Sequence, residues 1–565
     1  MKKLLLFLLV LTLLLGACTS TREFEEKTES EIQAEIENEE KPTELTVYAV
    51  GDSVFLRKLG GTEAFKYYIT SYTIGPFGPL TNAIREYGHM LYGPLERYEQ
   101  EAGINLNVQF FQNMETMETQ IVKDKKEGKR PDVVIGDYSG WSMATKYNNI
   151  YRLIYNGWFM DMMPYLEQDQ VYVSDEYYNE VLEAGVLGGR QYALPLSFNM
   201  NAIFSSKEDM EEIGVAIEEG MDSAQLLEQL TQACVLAEEG ELVVDNLSSW
   251  SVPTTLIQDY WESTGCSVVN YENGEVAVDR QLFEDIALCF KEYLRMNIIE
   301  DWDTVLDEGK SILNSSLWDA YGTPGDFETL DQNILGGDLM KEMALERMNQ
   351  GVFFYENSTI TSQVHSLPGQ CVAMDSLYKD LQEERVMVSV PRYKEKDQYM
   401  AQVQMYGCIS AETKYPYHCY QLLKYLLDQE YDPYYVIPVK KVNTQAMLDK
   451  LSDTTYTLHL WLGAGWDYDV DFSKNLETYT LQPLGEDLRH QLQHMLNNIG
   501  GASLPEASVY VPLVWHMEAY AFELETMDEA YENACADLEK HMKYIMAGDS
   551  EMDFSFNGYT RSFLK

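Results

Sequence analysis

Short, wholly apolar runs alternate with amphipathic stretches along most of this 565-residue chain. Leu45-Thr-Val-Tyr-Ala-Val50 is rich in β-formers and stops at Gly51-Asp52, which predicts a strand and its turn. Residues 80–102 are helical in composition and end at Gly103. Asn105–Phe111 puts Leu106, Val108 and Phe110 on one face of a second strand, and a polar helix follows over 114–127. Pro131-Asp-Val-Val-Ile135 predicts a third strand, closed by Gly136-Asp137. Apolar runs joined by helices belong to a parallel sheet covered on two sides. The predicted class is therefore doubly wound α/β.

Residues 205–350 read as mostly helical, most clearly over 223–238 and 280–296. Strand-like runs return at 352–355, 386–390 and 404–409. After Pro416, Leu422, Leu423, Leu426 and Leu427 recur at helical spacing. Thr526-Met-Asp-Glu529 is a capping box. It opens a helix carrying Met527, Ala530, Tyr531, Ala534, Leu538, Met542 and Ile545 on one face. No internal repeat is found.

Two segments precede this body. Lys2 and Lys3 lead into residues 4–15, which are apolar except for Thr12. As a helix these residues rise only about 18 Å, short of a bilayer core of about 30 Å. The segment reads as the hydrophobic region of a signal peptide, not a membrane span. Residues 19–44 hold ten Glu against Arg22, Lys27 and Lys41, with only Phe24, Ile32 and Ile36 as larger apolar side chains. Such a stretch buries too little to repay its ordering entropy. It is expected to be an acidic, disordered tether, with the folded body beginning at Leu45.

Composition narrows the function. The chain carries 41 Lys+Arg against 92 Asp+Glu, a formal charge of −51. That surface repels phosphate backbones and anionic headgroups, which argues against nucleic-acid binding. Tyr is abundant at 40 copies, and such rings either fill cores or present flat faces to ligands. Beyond Cys18, Cys234, Cys266, Cys289, Cys371, Cys408, Cys419 and Cys535 form no CxxC pair. They are expected as buried thiols rather than a disulfide framework.

Catalytic signatures are missing. No GxSxG elbow, HExxH, P-loop or dinucleotide fingerprint occurs at a strand–helix junction. His490-Gln-Leu-Gln-His494 has the metalloprotease spacing, but Gln491 stands where the general base belongs. Asp467-Tyr-Asp469-Val-Asp471 starts like a calcium loop, yet Phe472 and Thr478 occupy the places of its Gly and bidentate Glu. Paired carboxylates suited to glycoside hydrolysis can be found at any spacing among 92 acids.

Leu15-Gly16-Ala17-Cys18 resembles the lipobox of bacterial lipoproteins, which implies cleavage before Cys18 and lipid on its sulfur. In order along the chain, several segments resemble the extracellular solute-binding lipoproteins of ABC importers, in the branch that binds sugars and oligosaccharides. They are the first strand, Pro131-Asp-Val-Val-Ile-Gly-Asp137, and Gly188-Gly-Arg-Gln-Tyr-Ala-Leu-Pro195 with Asn199 to Phe204. Gly351-Val-Phe-Phe-Tyr-Glu-Asn357 and Tyr406-Gly-Cys-Ile-Ser410 with Tyr415-Pro complete the series. Residues 52–79 and 451–483 have no counterpart in that pattern.

The resemblance implies a two-lobed periplasmic-binding-protein-like fold of type II, with parallel-rich sheets flanked by helices. A ligand cleft between lobes closes by a hinge. The implied organisation is a signal peptide over 1–17 and the lipidated tether over 18–44. Lobe 1 then comprises 45–197 plus 407–440, and lobe 2 comprises 198–406 plus 441–565. Ligands of open α/β sheets sit at the carboxyl ends of strands, which selects Asp52, Asn113, Asp137, Tyr138 and Trp141. The resemblance adds Asn199 at one crossing between lobes, Tyr406 at the other, Glu356 and Asn357 at a returning turn, and the rings of Trp261 and Trp515. Trp466 is the candidate within the unmatched region. Each ring serves equally in a core, and Asp52, Asp137, Glu356 and Asn357 equally suit turns or caps.

The function implied is capture of a carbohydrate without bond chemistry, on the outer face of the cytoplasmic membrane, for an ABC permease. No cofactor or metal is expected, and the chain is expected to be a monomer. The alternatives are the same fold holding a peptide or other polar solute, and an anchored glycoside hydrolase.

Overall fold

Leu45, Val47 and Ala49 are fully buried, and Tyr48 and Val50 nearly so. The first strand is thus covered on both faces, as its unbroken apolar run requires. The computed structural model describes residues 29–50, 69–72, 81–84, 92–111, 114–137, 150–207, 215–238, 260–297, 360–363, 367–381, 384–431, 436–461, 476–504 and 506–547. Ten strands carry the architecture. They are β1 (Glu44–Val50), β2 (Asn105–Phe111), β3 (Val133–Asp137), β4 (Leu194–Met200), β5 (Ala202–Ser206), β6 (Ile360–Gln363), β7 (Arg385–Ser389), β8 (Glu395–Ile409), β9 (Ile437–Pro438) and β10 (Ile499–Ser503).

The main sheet runs β9-β4-β8-β3-β1-β2, with β10 added beside β8. β1 pairs in parallel with β2 and β3, whereas β8 is antiparallel to both β3 and β4, and β9 is antiparallel to β4. Four of these six strands therefore point one way. The expected α/β class with a parallel-rich, helix-flanked sheet is what the chain adopts. A second sheet, β6-β5-β7, is antiparallel throughout.

Ten helices matter here: α1 (Glu29–Asn38), α2 (Ile150–Tyr155), α3 (Ser223–Glu238), α4 (Arg280–Asn297), α5 (Leu367–Leu381), α6 (Pro416–Leu427), α7 (Lys441–Asp453), α8 (Glu486–Asn497), α9 (Ala507–Ala521) and α10 (Met527–Met546). The described residues pack into two hydrophobic cores. The first surrounds the main sheet and takes Leu422, Leu423, Leu426 and Leu427 of α6. The second gathers α3, α4, α9 and α10 around Trp261, Phe283, Leu513 and Leu538. The sheet β6-β5-β7 lies between them. Ala202, Phe204 and Met387 belong to the first core, while Ile203 and Val388 belong to the second, as the period-two alternation of strands dictates.

Four expectations from sequence need revision. The acidic leader is not disordered throughout, because residues 29–38 form α1. An isolated ten-residue helix is marginal in water, and tertiary contacts supply the difference. Ile32 is buried in the first core with Ile36 against it, and the Tyr165 hydroxyl donates to Glu35 at 2.5 Å. Glu39 accepts the backbone N–H groups of Tyr417 at 3.0 Å and His418 at 2.9 Å, capping α6, which has no side-chain cap from its own N-cap residue. The stretch 80–102 is not one helix. It contains a strand at Thr81–Ile84, a short helix at Tyr92–Tyr98 and a wide turn at Glu99–Gly103, which Gly103 ends with φ +60°.

The remaining revisions concern the C-terminal half. Helices α7 and α8, assigned above to lobe 2, place Met447, Leu448, Leu451, Leu488, Leu492 and Met495 in the first core, because α7 follows directly from β9 on the main sheet's edge. The two stretches without counterpart meet each other. Ile69–Tyr72 pairs with Thr81–Ile84, which pairs with Tyr456–Trp461, which pairs with Leu476–Leu481, all antiparallel. The strand expected at 352–355 lies outside the described residues. That expected at 404–409 is the end of the longer β8.

The capping box at α10 forms as expected: the Thr526 N–H donates to Glu529 at 2.9 Å, and the Glu529 N–H donates to Thr526 Oγ1 at 3.3 Å. Inside the second core His516 of α9 is sandwiched between two carboxylates. Its Nδ1 lies 2.8 Å from Glu525 and its Nε2 lies 3.4 Å from Asp537 of α10. Asn533 donates to Glu525 and Lys540 to Asp537. Burial opposes protonation of His516, but the hydrogen bonds to Asp537 and Glu525 outweigh it and raise its pKa. For Asp537, burial is likewise outweighed, by the bonds from His516 and Lys540, and its pKa is lowered.

The signs are opposite. A histidine raised in the fold stabilises fully below its unfolded pKa of about 6.5, and that stabilisation fades as pH rises through the folded value. The Asp537 contribution is present above its unfolded value and is lost as pH falls through its lowered one. The expected result is a Tm gap between wild type and His516→Gln that is widest near about pH 6 and narrows toward about pH 9. Differential scanning fluorimetry across that range checks it, and a gap independent of pH refutes it.

Candidate functional site

Two chain segments pass side by side from the first core to the second. β4 continues through Asn201 into β5, and β7 continues through Val390 toward β8. The Val390 N–H donates to the Asn201 carbonyl at 3.3 Å, which stitches the crossings together. A third segment joins them: β10 pairs in parallel with β8 over Tyr399–Gln402 and leads toward α9.

The crossing strands have an unusual side-chain pattern. Leu196, Phe198 and Met200 on β4 and Ala401, Val403 and Met405 on β8 all belong to the first core. Between them stand Ser197, Asn199, Asn201, Gln402, Gln404 and Tyr406, every one buried. Burying uncharged hydrogen-bonding groups at every second position is costly unless partners meet them. These six groups are neutral, so the seam favours no ion. Groups of this kind exchange hydrogen bonds with hydroxyls and amides.

Tyr406 fixes one end of this seam. It pairs with Gly136, and Met405 pairs with Asp137, the last residue of β3. The Tyr406 ring lies over Gly136 so closely that a Cβ at 136 would collide with it. The absence of a side chain at Gly136 therefore sets the ring's position. Asn199 sits two residues from Ser197, which pairs with Met405. Its Oδ1 accepts the Leu367 N–H at 3.2 Å, the first of α5. Asn199 thus holds the start of that helix.

The structure brings Asp137, Tyr406 and Asn199 to this one region of the main sheet. It does not bring Trp261 there. Trp261 is fully buried in the second core, with its indole N–H donated to the Cys266 carbonyl at 2.8 Å, so it serves the core reading and offers no face for stacking. Trp515 is buried along α9, among the second-core helices. Cys18, Asp52, Asn113, Tyr138, Trp141, Glu356, Asn357 and Trp466 lie outside the described residues, as do Asp467, Asp469 and Asp471.

Sequence reasoning missed Ser197, Asn201, Gln402 and Gln404. Their signal is visible in Leu196-Ser-Phe-Asn-Met-Asn201 and Ala401-Gln-Val-Gln-Met-Tyr406, where polar residues alternate inside strands flanked by apolar runs.

Helix α2 ties the region to the second core. Tyr151 stacks on Tyr271 at 3.7 Å and 10° between planes, and the Arg152 guanidinium lies 3.5 Å from the Tyr544 ring centroid. Glu506, just before α9, accepts the Ile150 N–H at 2.7 Å and caps α2. Nearby, His541 Nε2 stands 3.0 Å from Ser508 Oγ. That pair resembles a nucleophile and base, but both groups are buried among packed helices. Burial, then the Arg152 charge, pushes the imidazole down to about 3. His490 and His494 are exposed on α8. Cys266, Cys289, Cys371, Cys408, Cys419 and Cys535 are free thiols.

No family model matches the sequence, and a search of curated proteins found no match. Solved structures do match. The cyclic α-maltosyl-1,6-maltose binding protein from Arthrobacter globiformis is 13% identical, covering 89% of this chain and 99% of its own, with a TM-score of 0.49. A periplasmic oligogalacturonide binding protein from Yersinia enterocolitica is 11% identical, covering 89% and 100%, with a TM-score of 0.48. An extracellular solute-binding protein family 1 structure from Alicyclobacillus acidocaldarius is 13% identical, covering 90% and 100%, with a TM-score of 0.46.

Gly136→Ala is expected to destabilise the chain by about 1–3 kcal/mol through overpacking against Tyr406. In a Tyr406→Ala background the methyl added at 136 is expected to cost much less than it does in wild type. Urea unfolding of the single and double variants measures the coupling, and additive losses would separate the two residues.

Proposed function

We propose that this protein is an extracellular solute-binding protein that captures a carbohydrate between its two lobes and hands it intact to an ABC importer. The observation that carries this reading is the seam of six buried, uncharged hydrogen-bonding side chains on the strands that join the two cores. Sugars present rings of hydroxyls that need neutral donors and acceptors placed around them. A phosphate or carboxylate would need cations there, and the seam has none among its six side chains. The ordered segments that resemble sugar-binding lipoproteins support the same conclusion.

In this reading, capture proceeds by closure about the paired crossings at Asn201 and Val390, with no bond made or broken. Cys18 carries the lipid that holds the protein at the outer face of the cytoplasmic membrane, and the closed form docks as a monomer on permease subunits. No described helix is long and apolar enough to cross a membrane. The lobes follow the two cores, with α7 and α8 joining the first.

A panel of neutral oligosaccharides, including maltotriose, mannotriose and cellotriose, tests the proposal on the full-length protein in detergent. One sugar is expected to raise Tm saturably, with stabilisation near about 2.7 kcal/mol at a hundredfold excess over Kd, and with no new reducing ends. Reducing ends that accumulate with time would instead support hydrolysis. A shift with peptides alone would reassign the ligand.

A further inference from the structure

Gln404 is fully buried, yet neither its Oε1 nor its Nε2 has a hydrogen-bond partner among the described residues. The same is true of Ser197 Oγ on the adjacent strand. Taking a carboxamide out of water without replacing its hydrogen bonds is unfavourable at both ends of the group. Met or Leu would fill a similar volume at no such cost. A fully buried group of this kind calls for a reason.

Its place supplies one. The pairing of β8 with β4 is irregular between Val403 and Met405 and again between Met405 and Tyr406, so Gln404 is the extra residue of a bulge. Bulges redirect side chains and gather beside functional sites. Met405 pairs with the last residue of β3, so Gln404 stands one residue beyond the carboxyl edge of the parallel strands, where ligands of such sheets collect. On its other side Gln402 pairs with Ser503, where the third crossing leaves the sheet. The unpaired amide therefore lies between the sheet edge and the strands that join the cores.

We propose that Gln404, with Ser197 beside it, is a specificity-determining contact for the ligand. Its Nε2 donates to one hydroxyl of a sugar ring, and its Oε1 accepts from the neighbouring hydroxyl. A carboxamide offers one donor and one acceptor side by side, which matches a vicinal diol and discriminates against deoxy sugars. The inference rests on the carbohydrate reading above.

The test compares wild type, Gln404→Leu, Gln404→Met and Ser197→Ala as full-length proteins, using whichever trisaccharide of the panel shifts wild-type Tm most. Without sugar, Gln404→Leu or Gln404→Met is expected to match or exceed wild-type Tm, since an unpaired amide is being replaced by apolar atoms. With sugar, calorimetry is expected to show Kd weakened by about tenfold or more in either variant. Ser197→Ala gives a smaller loss in the same direction. A sugar-free Tm below wild type in both variants overturns the proposal, because the amide would then be making bonds within the fold. Wild-type affinity in both variants also overturns it, as a bound water at that site would predict. A wild-type protein that binds no carbohydrate removes this proposal together with the functional reading it rests on.

Discussion

The hydrogen-bond ladder of strand β8 is the constraint on which the remaining architecture depends. This single strand is antiparallel to β3 and β4 at one end and parallel to β10 at the other. Fifteen residues of strand extend about 50 Å, long enough to run from the pairing with β10 to the pairing with β3. Because every backbone group on a buried strand must be paired, the neighbours of β8 cannot be placed independently. Fixing β8 sets the two crossings at Asn201 and Val390 and the third at Ser503. It also sets the register that brings Asp137, Tyr406 and Gln404 to one level of the sheet.

Much of this was legible where a short stretch of sequence carries its own physical reason. The runs at Leu45–Val50 and 131–135 read as strands because no polar face interrupts them, and the four leucines of α6 read as a helix because their spacing allows only one apolar stripe. Thr526 and Glu529 announced a cap that depends on three neighbouring residues alone. What stayed hidden depends on partners distant in sequence. Residues 29–38 look unfoldable by themselves, and only the pocket that receives Ile32 makes them a helix. The pairing of 69–84 with 456–481 leaves no local trace. In the site, a search for turn residues and rings led to Trp261, which the core consumed, while the alternating amides of β4 and β8 lay inside strands and drew no attention.

The charge of the chain fits the same division. Acids dominate the surface, and the lysines that are drawn inward serve specific acceptors. Lys424 is buried on α6, where it pairs with Asp428 and donates to the Tyr177 hydroxyl at 3.0 Å, and Lys440 reaches the same carboxylate at 3.0 Å. Removing one partner from such a cluster strands the others in a poorly solvated place. The seam on β4 and β8 is free of this arrangement: its six polar groups are neutral.

The contact between Glu39 and the start of α6 closes about two thirds of the polypeptide into a loop, since its partners lie 378 and 379 positions apart in a chain of 565 residues. A ribosome delivers residues in order. Glu39 therefore has to wait for the last third of the molecule before it can settle. The first core is consequently finished late, after both ends of the first sheet have been made, and assembly cannot proceed simply from front to back.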